Sequence, residues 1–86
     1  SRDVKTPVGP VEPADVLAAV RGLPVEKWKY HGSDAVHFGT YAEDFNEAIV
    51  GERRPVIALI DMMGALVGAV KALADKVDKL EGAARA

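Results

Sequence analysis

Few side chains in this sequence are of a kind that does covalent chemistry, and one pair of them falls within the first five residues. Ser1 and Lys5 are close enough in sequence to meet in a turn. A lysine in a partly desolvated setting can lose its proton and act as base toward a serine hydroxyl, giving a Ser–Lys nucleophilic pair. Proximity alone does not single the pair out. His31, Asp34 and His37 offer metal-ligand atoms, but they flank a turn and lack fixed ligand spacing. They read as a solvated turn and one hairpin histidine. Arg53 and Arg54, with Lys27 and Lys29, read as ordinary solvated surface rather than an anion site. The chain has no cysteine, which removes disulfide frameworks and thiolate zinc sites. No metal or cofactor is expected.

The totals narrow the classes further. A net charge of −2 argues against nucleic acid or an anionic membrane as main partner, since either calls for a basic patch. The longest apolar run, Val56 to Val70, is broken by Asp61 and falls short of a bilayer span. At 86 residues the chain is one small domain with much of its surface exposed, and oligomerisation is a usual remedy for so thin a core.

The elements that must position these residues follow in order. Residues 1–12 read as an extended lead-in, with prolines at Pro7 and Pro10 and no periodicity. Pro13 suits the first position of a short helix capped by Glu12, with Val11 and Val16 placed as a hydrophobic staple. Its apolar face is Val16, Leu17 and Val20. Gly22 reads as a left-handed stop, and Pro24 prevents continuation. Val25–Tyr30 alternates as a strand, His31–Asp34 turns, and Ala35–Phe38 returns, so that Val36 and Phe38 would face Trp28 and Tyr30. Thr40 and Glu43 have the spacing of a capping box. The helix it opens would bury Tyr41, Phe45, Ala48 and Ile49 over the hairpin, with Asp44, Asn46 and Glu47 outside, and end at Gly51. Val56–Ile60 reads either as the start of the last helix or as a third strand ending at an Asp61 cap; the β-branched residues after Pro55 favour the strand.

From Asp61 a helix of about twenty residues follows, roughly 30 Å long. Met63, Leu66, Val70, Leu73, Val77 and Leu80 repeat in alternating three- and four-residue steps, the a/d seam of a coiled coil. In the first half Ala65, Val67 and Ala69 widen the apolar face, and Gly64 and Gly68 permit close approach. In the second half Asp75, Lys76, Asp78 and Lys79 leave only the seam apolar. The tail from Gly82 is expected to fray. The fold expected is α+β: a short N-terminal helix, an antiparallel sheet of two to three strands, a capped helix, and a long C-terminal helix forming a trimeric coiled coil. The boundaries are a lead-in at 1–12, an α+β unit at 13–60 and the coiled-coil helix at 61–86. Valine at a with leucine at d leans toward two strands, whereas the wide first half favours three.

The linear order carries a resemblance. Leu23-Pro24-Val25-Glu26-Lys27-Trp28-Lys29-Tyr30, then His37-Phe38-Gly39-Thr40-Tyr41-Ala42-Glu43-Asp44-Phe45, then Ile60-Asp61 running into an alanine-rich helix, resembles the C-terminal intramolecular chaperone domain of phage endosialidases, tailspikes and tail fibres. The resemblance implies a domain that holds three fibre chains in register while they fold, in the host cytoplasm during virion assembly. It further implies release by a serine-dependent self-cleavage after the serine, assisted by a lysine downstream. The sequence departs from that pattern in places: Lys5 is four residues after Ser1 rather than five, Arg2 stands where an aspartate is usual, Glu43 replaces a glutamine, and the loop Val50–Pro55 is short. Either Ser1 is the nucleophile with shortened spacing, or the residue before it was, and the chain is the released product. The partners implied are two further copies of the chain and the upstream fibre portion. Two other readings stay open: a permanent oligomerisation module without protease activity, retained on the virion tail, and a receptor-binding tip with Trp28, Tyr30 and Tyr41 as contacts.

Overall fold

The computed structural model describes residues 1–85, and Ala86 lies outside the described residues; Gly82–Arg85, expected to fray, instead continue the last helix. A 3₁₀ turn at Arg2–Val4 precedes α1 (Pro13–Arg21), β1 (Glu26–Trp28), β2 (His37–Gly39), α2 (Ala42–Phe45), a π-helical turn (Asn46–Val50) and α3 (Leu59–Arg85). The α+β class, the two-stranded antiparallel sheet and the long C-terminal helix stand as expected.

α1 starts as its sequence dictates, with Pro13 in the first turn and the Glu12 carboxylate accepting from the Ala14 N–H at 3.4 Å. Its end is different. Gly22 is right-handed (φ −83°, ψ −8°), and the helix closes by a tightened turn in which Gly22 and Leu23 N–H donate to the Ala19 and Val20 carbonyls.

The hairpin is shifted from the register expected. Trp28 stands opposite His37, and Lys27 opposite Phe38. A one-residue slip moves every side chain to the other face. Trp28, Tyr30 and His37 therefore form the aromatic cluster, with ring centroids 5.1–5.6 Å apart. Val36 and Phe38 are left exposed. No helix packs broadly over this hairpin among the described residues. The link to α2 is a single hydrogen bond, donated by the Tyr41 hydroxyl to Glu26 Oε2 at 2.7 Å.

Two further expectations are corrected around α2. The capping box is not formed: Tyr41, not Thr40, precedes the helix and supplies no side-chain cap, and Thr40 Oγ1 is buried without a partner. Starting one residue late puts Asp44, not Glu43, at the third helical position, so the reciprocal bonds cannot close. The third strand is absent, because Asn46 captures the segment that would supply it. Expected outside, Asn46 is 1% exposed, and its Nδ2 donates to the carbonyls of Arg54 and Val56 at 3.2 and 2.8 Å. With those carbonyls occupied, Ala58 accepts from the Asp61 and Met62 N–H groups and α3 begins at Leu59. Asp61 thus lies in the first turn, not at the cap.

The core is thin. Leu17, Phe45, Ala65, Ala69 and Ala72 are its buried apolar residues. Leu17 packs on Ala69 and Ala72 with Val20 alongside. α1 comes so close at Gly68 that a Cβ there would meet Val16 Cγ1 at 3.3 Å; at Gly64 nothing lies within reach. The radius of gyration is 16.3 Å, against about 12 Å for a compact domain of this length.

Asn46→Ala removes a buried amide and strips the part-buried carbonyls of Arg54 and Val56 of their donor. It is expected to cost about 1–3 kcal/mol in urea unfolding while leaving α3 helical by circular dichroism.

Candidate functional site

Two regions could carry function. The first is the lead-in, whose residues are exposed throughout, from Ser1 to Glu12. Ser1 and Lys5 flank a 3₁₀ turn at Arg2–Val4, within a lead-in otherwise expected to be extended. Ser1 Oγ accepts from the Asp3 N–H at 3.0 Å, and the Ser1 carbonyl accepts from the Val4 N–H at 3.3 Å. Among the described residues no hydrogen bond joins the Ser1 hydroxyl to the Lys5 amine. The turn thus holds the hydroxyl as an acceptor and places one N–H on the carbonyl that precedes Arg2.

The second region is α3. A helix turns 100° per residue, so alanines at 65, 69 and 72 share one stripe and the a/d residues another. The alanine stripe is the buried one. Met63, Leu66, Val70, Leu73, Val77 and Leu80 all point away from the domain and are 48–70% exposed. Leu59, one heptad step earlier, extends the stripe at 74%. A row of large apolar side chains this long is an exposed apolar stripe of the kind that marks interaction surfaces. The surface of the chain is 7175 Å², about 2,300 Å² above the roughly 4,900 Å² expected of a folded monomer of 9.1 kDa.

The family model for the chaperone of endosialidase matches residues 1–52. The chain belongs to this family. No curated protein and no solved structure matches it. The match supports an intramolecular chaperone role in general. It takes in the lead-in, α1, the hairpin and the α2 region, and ends at Glu52, short of the Ile60–Asp61 segment and the alanine-rich helix that the sequence likeness had included. What α3 contributes to this chaperone domain is therefore argued from its own residues.

The remaining candidates are distributed. Tyr30 is exposed, Trp28 is half-buried and Tyr41 lies at the surface, so the three do not form one open aromatic face. His37 packs against Trp28 and Tyr30, away from any metal constellation, and among the described residues no group of three His, Cys, Asp or Glu is placed to hold a metal ion. Arg53 and Arg54 pair with Glu47 and Glu52 at the surface. Among the described residues no helix is long and apolar enough to cross a membrane. The sequence reading missed Asn46 and the Tyr41–Glu26 bond. Nothing in a linear pattern signals a tyrosine meeting a carboxylate fifteen residues earlier.

That bond has an electrostatic signature. Donation to the Glu26 carboxylate first, then partial desolvation, then the charges of Glu26 and Asp44, hold the Tyr41 phenol above its ordinary value. A raised phenol binds its proton more tightly in the folded chain. Its contribution to stability is present below the ordinary value of 10.0 and is lost as pH rises through the folded value. In a Tyr30→Phe background, ultraviolet titration is expected to show Tyr41 ionising later than a free tyrosine. Glu26→Gln should bring it back; an unchanged titration would mean the bond is not made.

Proposed function

We propose that this chaperone domain is a homotrimeric clamp that registers the upstream portion of a phage tail fibre or tailspike during folding, and is then released by a serine-dependent cut at the lead-in. The observation that carries the reading is the outward a/d seam of α3. The chain uses its small residues to pack on itself and leaves its large ones free for copies of itself. Interwound β-fibres pair slowly and non-locally and misregister easily. A coiled coil at their end raises the effective concentration of the chains and fixes their stagger. Cutting afterwards makes the assembly kinetically irreversible.

The chemistry proposed for the lead-in uses Ser1 and Lys5. Lys5 Nζ takes the proton of Ser1 Oγ, which attacks the carbonyl carbon before Arg2. The Arg2 nitrogen leaves with that proton; because the carbonyl is Ser1's own, the ester formed is a strained four-membered lactone, which water opens to the Ser1 carboxylate. The Val4 N–H already on the carbonyl oxygen supports this, since charge develops there; at 3.3 Å it must shorten to reach the roughly 2.7–3.1 Å of an effective oxyanion donor. Lys5 must also swing onto the hydroxyl, which in the single chain is held by Asp3. The second reading, a permanent non-catalytic or receptor-binding tip, is favoured by that separation and by the exposure of Tyr30 and Phe38. The site of action proposed is the host cytoplasm during virion assembly, or the virion tail where the domain is retained.

Two measurements test these parts separately. Sedimentation equilibrium is expected to give three times the chain mass, and Leu73→Asp, which sets an unpaired charge in the seam, to weaken association by more than about 100-fold. A clean dimer, or an indifferent Leu73→Asp, would sink the clamp. In a chain extended upstream of Ser1, mass spectrometry is expected to show a fragment beginning at Arg2. Ser1→Ala should abolish it and Lys5→Gln should slow it by about 100-fold or more. Cleavage that ignores Ser1→Ala removes Ser1 as nucleophile, and a chain that stays intact supports the permanent tip.

A further inference from the structure

The two flanks of the α3 seam are not alike. On one flank Ala69 and Ala72 are covered by the chain's own α1. On the other, Ile60 and Val67 stand 69% and 61% exposed beside an apolar groove of about 930 Å³. Val16 of α1, Ile49 of the π-helical turn, and Val8 and Val11 of the lead-in wall this groove. In heptad terms Ile60 and Val67 hold the e positions, and Met62 and Ala69 the g positions. Side-by-side parallel helices set the e flank of one chain against the g flank of the next.

We infer that this groove seats the α1-covered flank of a neighbouring copy, so that the assembly is held by a second, heterologous contact in addition to the seam. The inference rests on the proposed parallel clamp. Its occupant is argued from area. Full burial of a large aliphatic side chain removes roughly 60–120 Å² of apolar surface, so Leu59 and the six seam residues together account for at most about 800 Å². Obligate interfaces bury about 1,000–2,500 Å² per partner, more than the seam side chains supply. A further surface must be covered, and the groove is continuous with the seam on its uncovered side. Asp61 and Lys71 edge it with both signs of charge, as a polar rim does. Because the two surfaces in contact differ, the arrangement closes only as a ring and not as a two-fold pair. It also makes Val8 and Val11, both exposed in the single chain, part of the interface, which ties the lead-in to the state of assembly.

The absence of native cysteine allows one reporter to be placed cleanly. A spin label on Val11→Cys is expected to be mobile in dilute, monomeric protein and immobilised at concentrations where the mass is that of the assembly. Adding Leu73→Asp should free it. A mobile label in a particle of assembled mass overturns the groove and leaves the clamp standing, whereas a monomer mass at every concentration overturns both. A label-free check is Ile60→Asp with Val67→Asp, both exposed and so harmless to the isolated fold. Association is expected to weaken at least tenfold with helix content unchanged, and association within twofold of the parent overturns the groove.

Discussion

The contact on which the rest depends is the seating of α1 on the small-residue stripe of α3. Leu17 lies on Ala69 and Ala72, and Val16 closes to 3.3 Å of where a Cβ of Gly68 would stand. Small residues let two helices approach closely, but each buries little apolar area, and burial scales with area. The fold therefore fixes the orientation of α3 without burying any of the large side chains of its a/d stripe. Turning the alanines inward turns Met63 to Leu80 outward, because the two stripes lie on different sides of one helix. Orientation and exposure are one fact. A bulkier stripe would bury more area within the single chain and, in the proposed clamp, would disturb the outward aim of the large residues.

The same thinness shows elsewhere. The hairpin of β1 and β2 has three residues per strand and no helix broadly over it. Pairs of strands on their own are marginal in water. What holds it is aromatic: Trp28, Tyr30 and His37 in tilted and edge-on contact, with the Tyr41–Glu26 bond closing the end. The indole Nε1 of Trp28 and the hydroxyl of Thr40 are buried without partners in the chain. Such groups normally cost stability unless something satisfies them. The strand pair, the lead-in and the longest apolar stripe are all left open, which is what the proposed assembly would cover.

Much of this was legible in the linear sequence, for reasons that differ by element. α1 announced itself through Pro13, although Gly22 closes it right-handed and not left-handed, and the long helix through a three–four spacing that no strand produces. The turn His31–Asp34 placed the hairpin, but its register was not readable: Val36 and His37 are both acceptable opposite a tryptophan, and one residue decides the face. Asn46 was placed outside because polar residues usually are. In the fold it sits at the edge of the Phe45 stripe, where its amide replaces the backbone partners that Arg54 and Val56 lack. That tertiary capture also explains why β-branched residues after Pro55 do not become a strand, since propensity yields when the carbonyls are already engaged. At the lead-in the closeness of Ser1 and Lys5 was legible, but the 3₁₀ turn between them and the competing bond from Asp3 to the hydroxyl were not.

The family match ending at Glu52 divides the chain between a shared part and the helix that follows. The proposed strand number then rests on α3, and its a/d residues are a poor guide: valine at a and leucine at d suit a two-stranded coil. The e positions separate the cases better. In a two-stranded coil the flanks of the seam stay largely in water, where charged residues are usual. Here Ile60 and Val67 occupy them in the first half, and only later do Ala74 and Glu81. A third chain brings those flanks into the packed interior, so apolar e residues beside the groove are intelligible in a ring of three and wasteful in a pair. The parallel sense follows from the lead-in. Chains that enter the clamp from one fibre must enter from the same side, and an antiparallel pair would send their Ser1 ends in opposite directions. The count and the direction of the proposed assembly thus come from the flank and the entry point, while the seam itself supplies only the adhesion.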